Sequence, residues 1–75
     1  MTDFKEVTVL HNAHKFNVSG KITRSAIQIN NITVNYNRRK LPITKEGFYA
    51  MESDQVFRTL VYSKVSTILG RDTLE

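Results

Sequence analysis

The feature that most constrains this chain is a phase break in Ile27-Gln28-Ile29-Asn30-Asn31-Ile32-Thr33-Val34, where two adjacent asparagines interrupt a regular apolar/polar alternation. A strand with one buried face needs strict period-two alternation, so an inserted pair of polar residues must mark a change of direction or an extra residue in one strand. Asparagine tolerates φ > 0 better than any residue except glycine, and a two-residue type I′ loop needs φ > 0 at both central positions. A hairpin about Asn30-Asn31 therefore sets Ile29 opposite Ile32, Gln28 opposite Thr33 and Ile27 opposite Val34, with all four aliphatic side chains on one face. The competing reading is one long strand with a bulge at Asn30.

The same arithmetic works earlier in the chain. A turn about Asn12-Ala13 puts Val9 against Phe16, Thr8 against Asn17 and Val7 against Val18, again with one apolar face. Alanine resists φ > 0, so a four-residue loop from His11 to His14 is the alternative that keeps this register. With a short reversal at Thr23-Arg24-Ser25, the pattern predicts four antiparallel strands, about Phe4 to Leu10, Lys15 to Ile22, Ala26 to Ile29 and Ile32 to Asn37. Pro42 lacks an N–H donor, so a strand there is an edge or is interrupted. Lys45-Glu46-Gly47 reads as a turn into a short fifth strand, Phe48 to Met51, with a helix starting at Thr44 as the alternative.

From Ser53 the period changes to helical. Ser53 is placed as N-cap, Asp54 in the first turn and Gly70 as the stop before Arg71, while Phe57, Leu60, Val61, Val65 and Ile68 form a stripe opposite Gln55, Arg58, Thr59, Ser63 and Ser66. The expected fold is a single small α+β domain over residues 1–75. A four- to five-stranded antiparallel β-meander, about residues 4–51, packs on one C-terminal α-helix, about residues 53–69. One helix is about 10 Å wide and five strands span near 20 Å, so the sheet must curl or a second subunit must cover the rest.

Composition narrows the function classes. At 75 residues the chain holds one domain with a small stability margin, and with no cysteine it has neither disulfides nor thiolate metal sites. No apolar run approaches the ~20 residues of a membrane span, and the first six residues lack the basic start and apolar core of a secretory signal, so a cytoplasmic location is expected. The closing Leu74-Glu75 has the look of an added tail, and neither the expected fold nor the expected site draws on it.

Net charge is +4, and no acidic residue occurs between Val7 and Lys45. Lys15, Lys21 and Arg24, together with the Arg38-Arg39-Lys40 loop, are the candidate binding residues, and Lys15, Asn17, Ser19, Lys21, Thr23, Gln28, Thr33 and Asn35 share the face away from the core. Lysines can contact phosphates and amides can position them, but this face carries no aromatic residue for base stacking. His11 and His14 have no third metal ligand nearby and read as turn residues. Ser19, His14 and Asp54 could form a triad only on paper, and the glycines stand apart rather than in a phosphate loop. The first expectation is a small non-enzymatic protein-interaction or regulatory module without cofactor or metal, with self-association through a strand edge or the open sheet as one form. The alternative is a nucleic-acid-binding module using the basic residues just named.

Overall fold

The computed structural model describes residues 2–70; Met1, Arg71 and Leu74-Glu75 lie outside the described residues. The chain runs β1 (Thr2–His11), β2 (His14–Ile22), β3 (Ile27–Tyr36), β4 (Arg39–Pro42), α1 (Lys45–Glu52) and α2 (Gln55–Leu69). The strands form one antiparallel sheet in the order β1-β2-β3-β4, with the helices on one face. The expected α+β class and the antiparallel meander hold. Two helices take part, not one.

The first hairpin follows the sequence. Asn12 and Ala13 both have positive φ, 50° and 65°, and the register pairs Val9 with Phe16, Thr8 with Asn17 and Val7 with Val18. The second hairpin expectation is overturned. Asn30 and Asn31 lie inside the continuous ten-residue strand β3, where Asn31 faces Ser19 and Ile29 faces Gly20, leaving Asn30 as an unpaired bulge residue. One extra residue restores the phase as well as a turn does, and it lets the whole of β3 pair with β2. Gly20 makes room for it, because a Cβ there would lie 1.9 Å from the carbonyl oxygen of Gln28. The reversal comes instead at Asn37 and Arg38, with φ of 48° and 64°. Arg39 and Lys40, expected in a loop, consequently belong to the edge strand β4, and Pro42 ends it.

A second bulge lies on the other side of β2. Phe4 pairs with Gly20 and Val7 with Val18, so Lys5 and Glu6 are squeezed opposite Ser19, and the Glu6 N–H donates to Ser19 Oγ at 2.9 Å. Bulges bend strands and increase twist. With one on each side of Ser19-Gly20, the sheet bends there. Across the outer face one side-chain pair links its two edge strands, Lys40 Nζ of β4 reaching Glu6 Oε1 of β1 at 2.8 Å.

The expected fifth strand is also overturned: Phe48 to Met51 lie in α1. Thr44 caps that helix, its Oγ1 accepting from Gly47 N at 3.0 Å, and a Cβ at Gly47 would stand only 3.1 Å from the same hydroxyl. The glycine that argued against a helix thus leaves space for its cap. Ser53 closes α1, donating from Oγ to Tyr49 O, and Asp54 rather than Ser53 caps α2 by accepting from Val56 N at 2.9 Å.

The core joins Phe4, Val7, Val9, Val18, Ile22, Ile27, Ile29 and Ile32 of the sheet to Phe57, Val61 and Val65 of α2. Two members of the expected stripe are outside it, Leu60 at 39% exposure and Ile68 at 58%, while Ser66, expected on the solvent side, is buried. Polar anchors account for this rotation. Arg58 donates to the carbonyls of Glu52 and Ile27, and the Tyr62 hydroxyl donates to Thr23 O at 2.9 Å, so the Arg58/Tyr62 flank is drawn toward β3 and the opposite flank is turned outward.

Candidate functional site

The outer sheet face is built by the alternation that builds the core, since every residue between two buried ones points away from the helices. Asn17 lies at its centre with 5% exposure. Its side-chain oxygen accepts from Thr8 Oγ1 at 2.9 Å, and its amide nitrogen donates to Thr33 Oγ1 at 3.2 Å and to Asn35 Oδ1 at 2.7 Å. Three strands are thereby cross-linked. Of the amide and hydroxyl groups that the sequence offers for positioning phosphates, those of Asn17, Thr33 and Asn35 are committed to one another.

The candidate cations do not gather in one place. Lys15 and Lys21 point outward from β2, and Lys21 stands opposite Asp3 of β1. Lys40 is paired with Glu6, and its hydrogen bond, then its charge, hold the Glu6 carboxyl below the ordinary carboxylate value. Arg24 is in the β2–β3 connection, Arg38 in the β3–β4 turn and Arg39 opposite Tyr36. The start of β1, with its two carboxylates, lies beside the basic strands and offsets part of their charge.

The histidines separate as well. The His11 ring lies 5.3 Å from Phe57 and 6.5 Å from Phe16, and its Nε2 faces Asp54 Oδ2 at 3.8 Å. His14 stands 6.3 Å from Phe16. Ser19 is on the outer face with its hydroxyl bound by Glu6, whereas Asp54 faces His11, so Ser19, His14 and Asp54 are not brought together. Among the described residues no group of three metal-ligating side chains occurs, and no helix is long and apolar enough to cross a membrane.

No protein-family model matches the chain, and no curated protein or solved structure matches it either.

The sequence leads to a strand edge as a contact without naming its residues, and the edge with open backbone groups is that of β1. The two-residue loop makes His11 and His14 the hydrogen-bonded pair that closes the hairpin. Bonded and non-bonded pairs alternate from there, so the N–H and C=O of Thr8 and Leu10 point away from β2 into the open edge. Leu10 is 64% exposed beside them. Above this edge α2 presents the flank opposite Arg58 and Tyr62, with Val56 63% exposed and Leu60 turned out of the core. One signal was available in the sequence: Leu10 is an aliphatic residue at an outward position of the alternation.

The other edge differs. The same alternation, counted from the Tyr36/Arg39 pair, directs only Lys40 and Pro42 outward from β4. Proline supplies no N–H, and the strand is four residues long.

Proposed function

We propose that this chain is a non-enzymatic interaction module that binds another protein through the free edge of β1. The observation that carries this reading is the unused pair of backbone donor and acceptor groups at Thr8 and Leu10, flanked by exposed Leu10, Val56 and Leu60. An edge strand in this state is a template for pairing with a further strand, where main-chain bonds supply affinity and adjacent apolar side chains supply specificity. The test is capture from nuclease-treated lysate with the parent chain and with Leu10→Pro. Proline at this position removes an outward donor and none of the β1–β2 bonds. A partner retained by the parent at high salt and lost by the variant supports the reading. Equal capture by both, or loss on nuclease treatment, overturns it.

One observation favours the nucleic-acid reading. Among the described residues Arg38 and Arg39 have no carboxylate partner, and both are exposed at one end of the sheet. Changing Arg38, Arg39 and Lys40 together to Ala should then weaken binding to every duplex alike and lower the salt slope by about 0.9 for each phosphate no longer neutralised. Absence of any binding by the parent at low salt removes this reading.

A further inference from the structure

We propose that the partner taken by the β1 edge is a second copy of this chain, joined about a two-fold axis through Val9 so that two four-stranded sheets continue as one. This rests on the interaction reading above and names its partner. Under that axis Thr8 of one copy faces Leu10 of the other, and both are the residues whose N–H and C=O point outward. Each Thr8–Leu10 pair can exchange two hydrogen bonds, and the axis generates the pair twice. The edge is thus complementary to itself in antiparallel register. Neighbouring positions also agree: Val7 falls opposite His11 and Glu6 opposite Asn12, so no like charges meet.

Charge selects this edge over the other. Pairing β4 with itself would set Arg38, Arg39 and Lys40 beside their copies, and Pro42 would leave a bond unmade. Joining through β1 instead sends the two basic β4 edges to opposite ends of the combined sheet. In strand order six strands then separate them, and each Lys40 stays paired with Glu6 of its own chain.

The helices provide the independent check. α2 lies over β1 and β2, running from His11, which faces Asp54, toward the Thr23-Arg24 connection, which Tyr62 bonds. With a two-fold at the β1 edge, the two α2 axes come antiparallel at about twice the strand spacing, near 10 Å, which is the separation of packed helices. The flank each presents is the outward one, where Val56 and Leu60 are exposed without a partner. Leu60, nearly two turns or about 9 Å beyond the Asp54 cap that faces His11, comes close to the axis and covers its own copy.

The test begins with sedimentation equilibrium of the purified chain over a wide concentration range. The expected mass is about twice the 8.6 kDa of one chain, little affected by salt. Leu10→Pro deletes the donor of both symmetry-related pairs and should weaken the dimer by about tenfold to a hundredfold. Leu60→Arg, which places like charges beside the axis, should leave a monomer with unchanged circular dichroism. The chain has no cysteine, so Thr8→Cys combined with Leu10→Cys should give a covalent dimer under mild oxidation. A parent that stays monomeric at millimolar concentration overturns the second-copy proposal, and so does a dimer indifferent to Leu10→Pro and Leu60→Arg. The interaction reading survives either result if lysate capture is still lost in Leu10→Pro, and falls if it is not.

Discussion

Asn12-Ala13 and Asn30-Asn31 carry the same local signal, a polar pair at which the apolar phase inverts, yet one is a turn and the other lies inside a strand. At Asn12-Ala13 both residues take positive φ, although alanine suits that conformation poorly. At Asn30-Asn31 neither does, although both are asparagine. Local preference was therefore overruled at both sites by what lies across the sheet. Val7, Val9, Phe16 and Val18 can share one face only if the chain reverses between them, whereas Ile27, Ile29, Ile32 and Val34 share a face through one extra residue, provided that the neighbouring strand yields. Gly20 is where it yields.

Deletions separate the two sites most sharply. Removing Asn12 leaves a single residue to join β1 to β2, so the register must slip and the apolar set of one strand must turn to solvent; loss of cooperative thermal unfolding is expected. Removing Asn30 leaves Ile27-Gln28-Ile29-Asn31-Ile32-Thr33-Val34, a regular alternation that still pairs with β2. That variant should remain folded, with native-like circular dichroism and a cost of about 1 to 2 kcal/mol for straightening the bend. If it unfolds while the Asn12 deletion folds, the two assignments are reversed. Next in size is Gly20→Ala. Its methyl group would meet backbone rather than a flexible side chain, and the expected cost is about 3 kcal/mol, at the upper end for overpacking, measured by urea denaturation.

What the sequence made legible follows from how local each interaction is. The β1–β2 register, the stop at Gly70 and the α2 core positions Phe57, Val61 and Val65 depend on spacing within one or two neighbouring elements. The bulge at Asn30 depends on Gly20 in the neighbouring strand, and a lone glycine in a strand was the cue that pairing arithmetic ignored. The helix face was misjudged at Leu60 and Ser66 because Arg58 and Tyr62 reach carbonyls 31 and 39 residues away, and hydrophobic periodicity contains no information about such bonds. The candidate site was legible as a list of cations but not as a place. Bending at Ser19-Gly20 pairs Lys40 with Glu6, and the free edge of β1 emerges only once every other strand has its neighbours.

Asn31 reports on the comparison through a pair of substitutions. It is exposed on the outer face opposite Ser19 in an ordinary strand conformation, so Asn31→Val should be neutral or stabilising by a few tenths of a kcal/mol, and Asn31→Gly should cost up to about 1 kcal/mol. A turn would give the opposite order, because glycine relieves positive φ and a β-branched residue resists it. Thermal denaturation of the two variants side by side decides between them.

The smallest expected effect is at the other site. Ala13 sits at φ 65°, where an L-residue with a Cβ costs about 1 kcal/mol relative to glycine. Ala13→Gly removes that strain but also frees the unfolded chain, which takes back roughly half of the gain. The net result should be a stabilisation of about 0.5 kcal/mol, a rise in Tm of about 2 to 4 °C for a domain of this size. The loop would then hold an asparagine followed by a glycine, the pair that type I′ loops favour most, so folding should accelerate if this hairpin forms early, with the unfolding rate unchanged. A fall in Tm would mean that residue 13 does not hold the left-handed conformation in solution and that the four-residue loop from His11 to His14 joins the strands instead. The register of β1 on β2 would survive that result, but the alternation counted from the His11–His14 pair would not, and with it would go the outward direction assigned to Thr8 and Leu10.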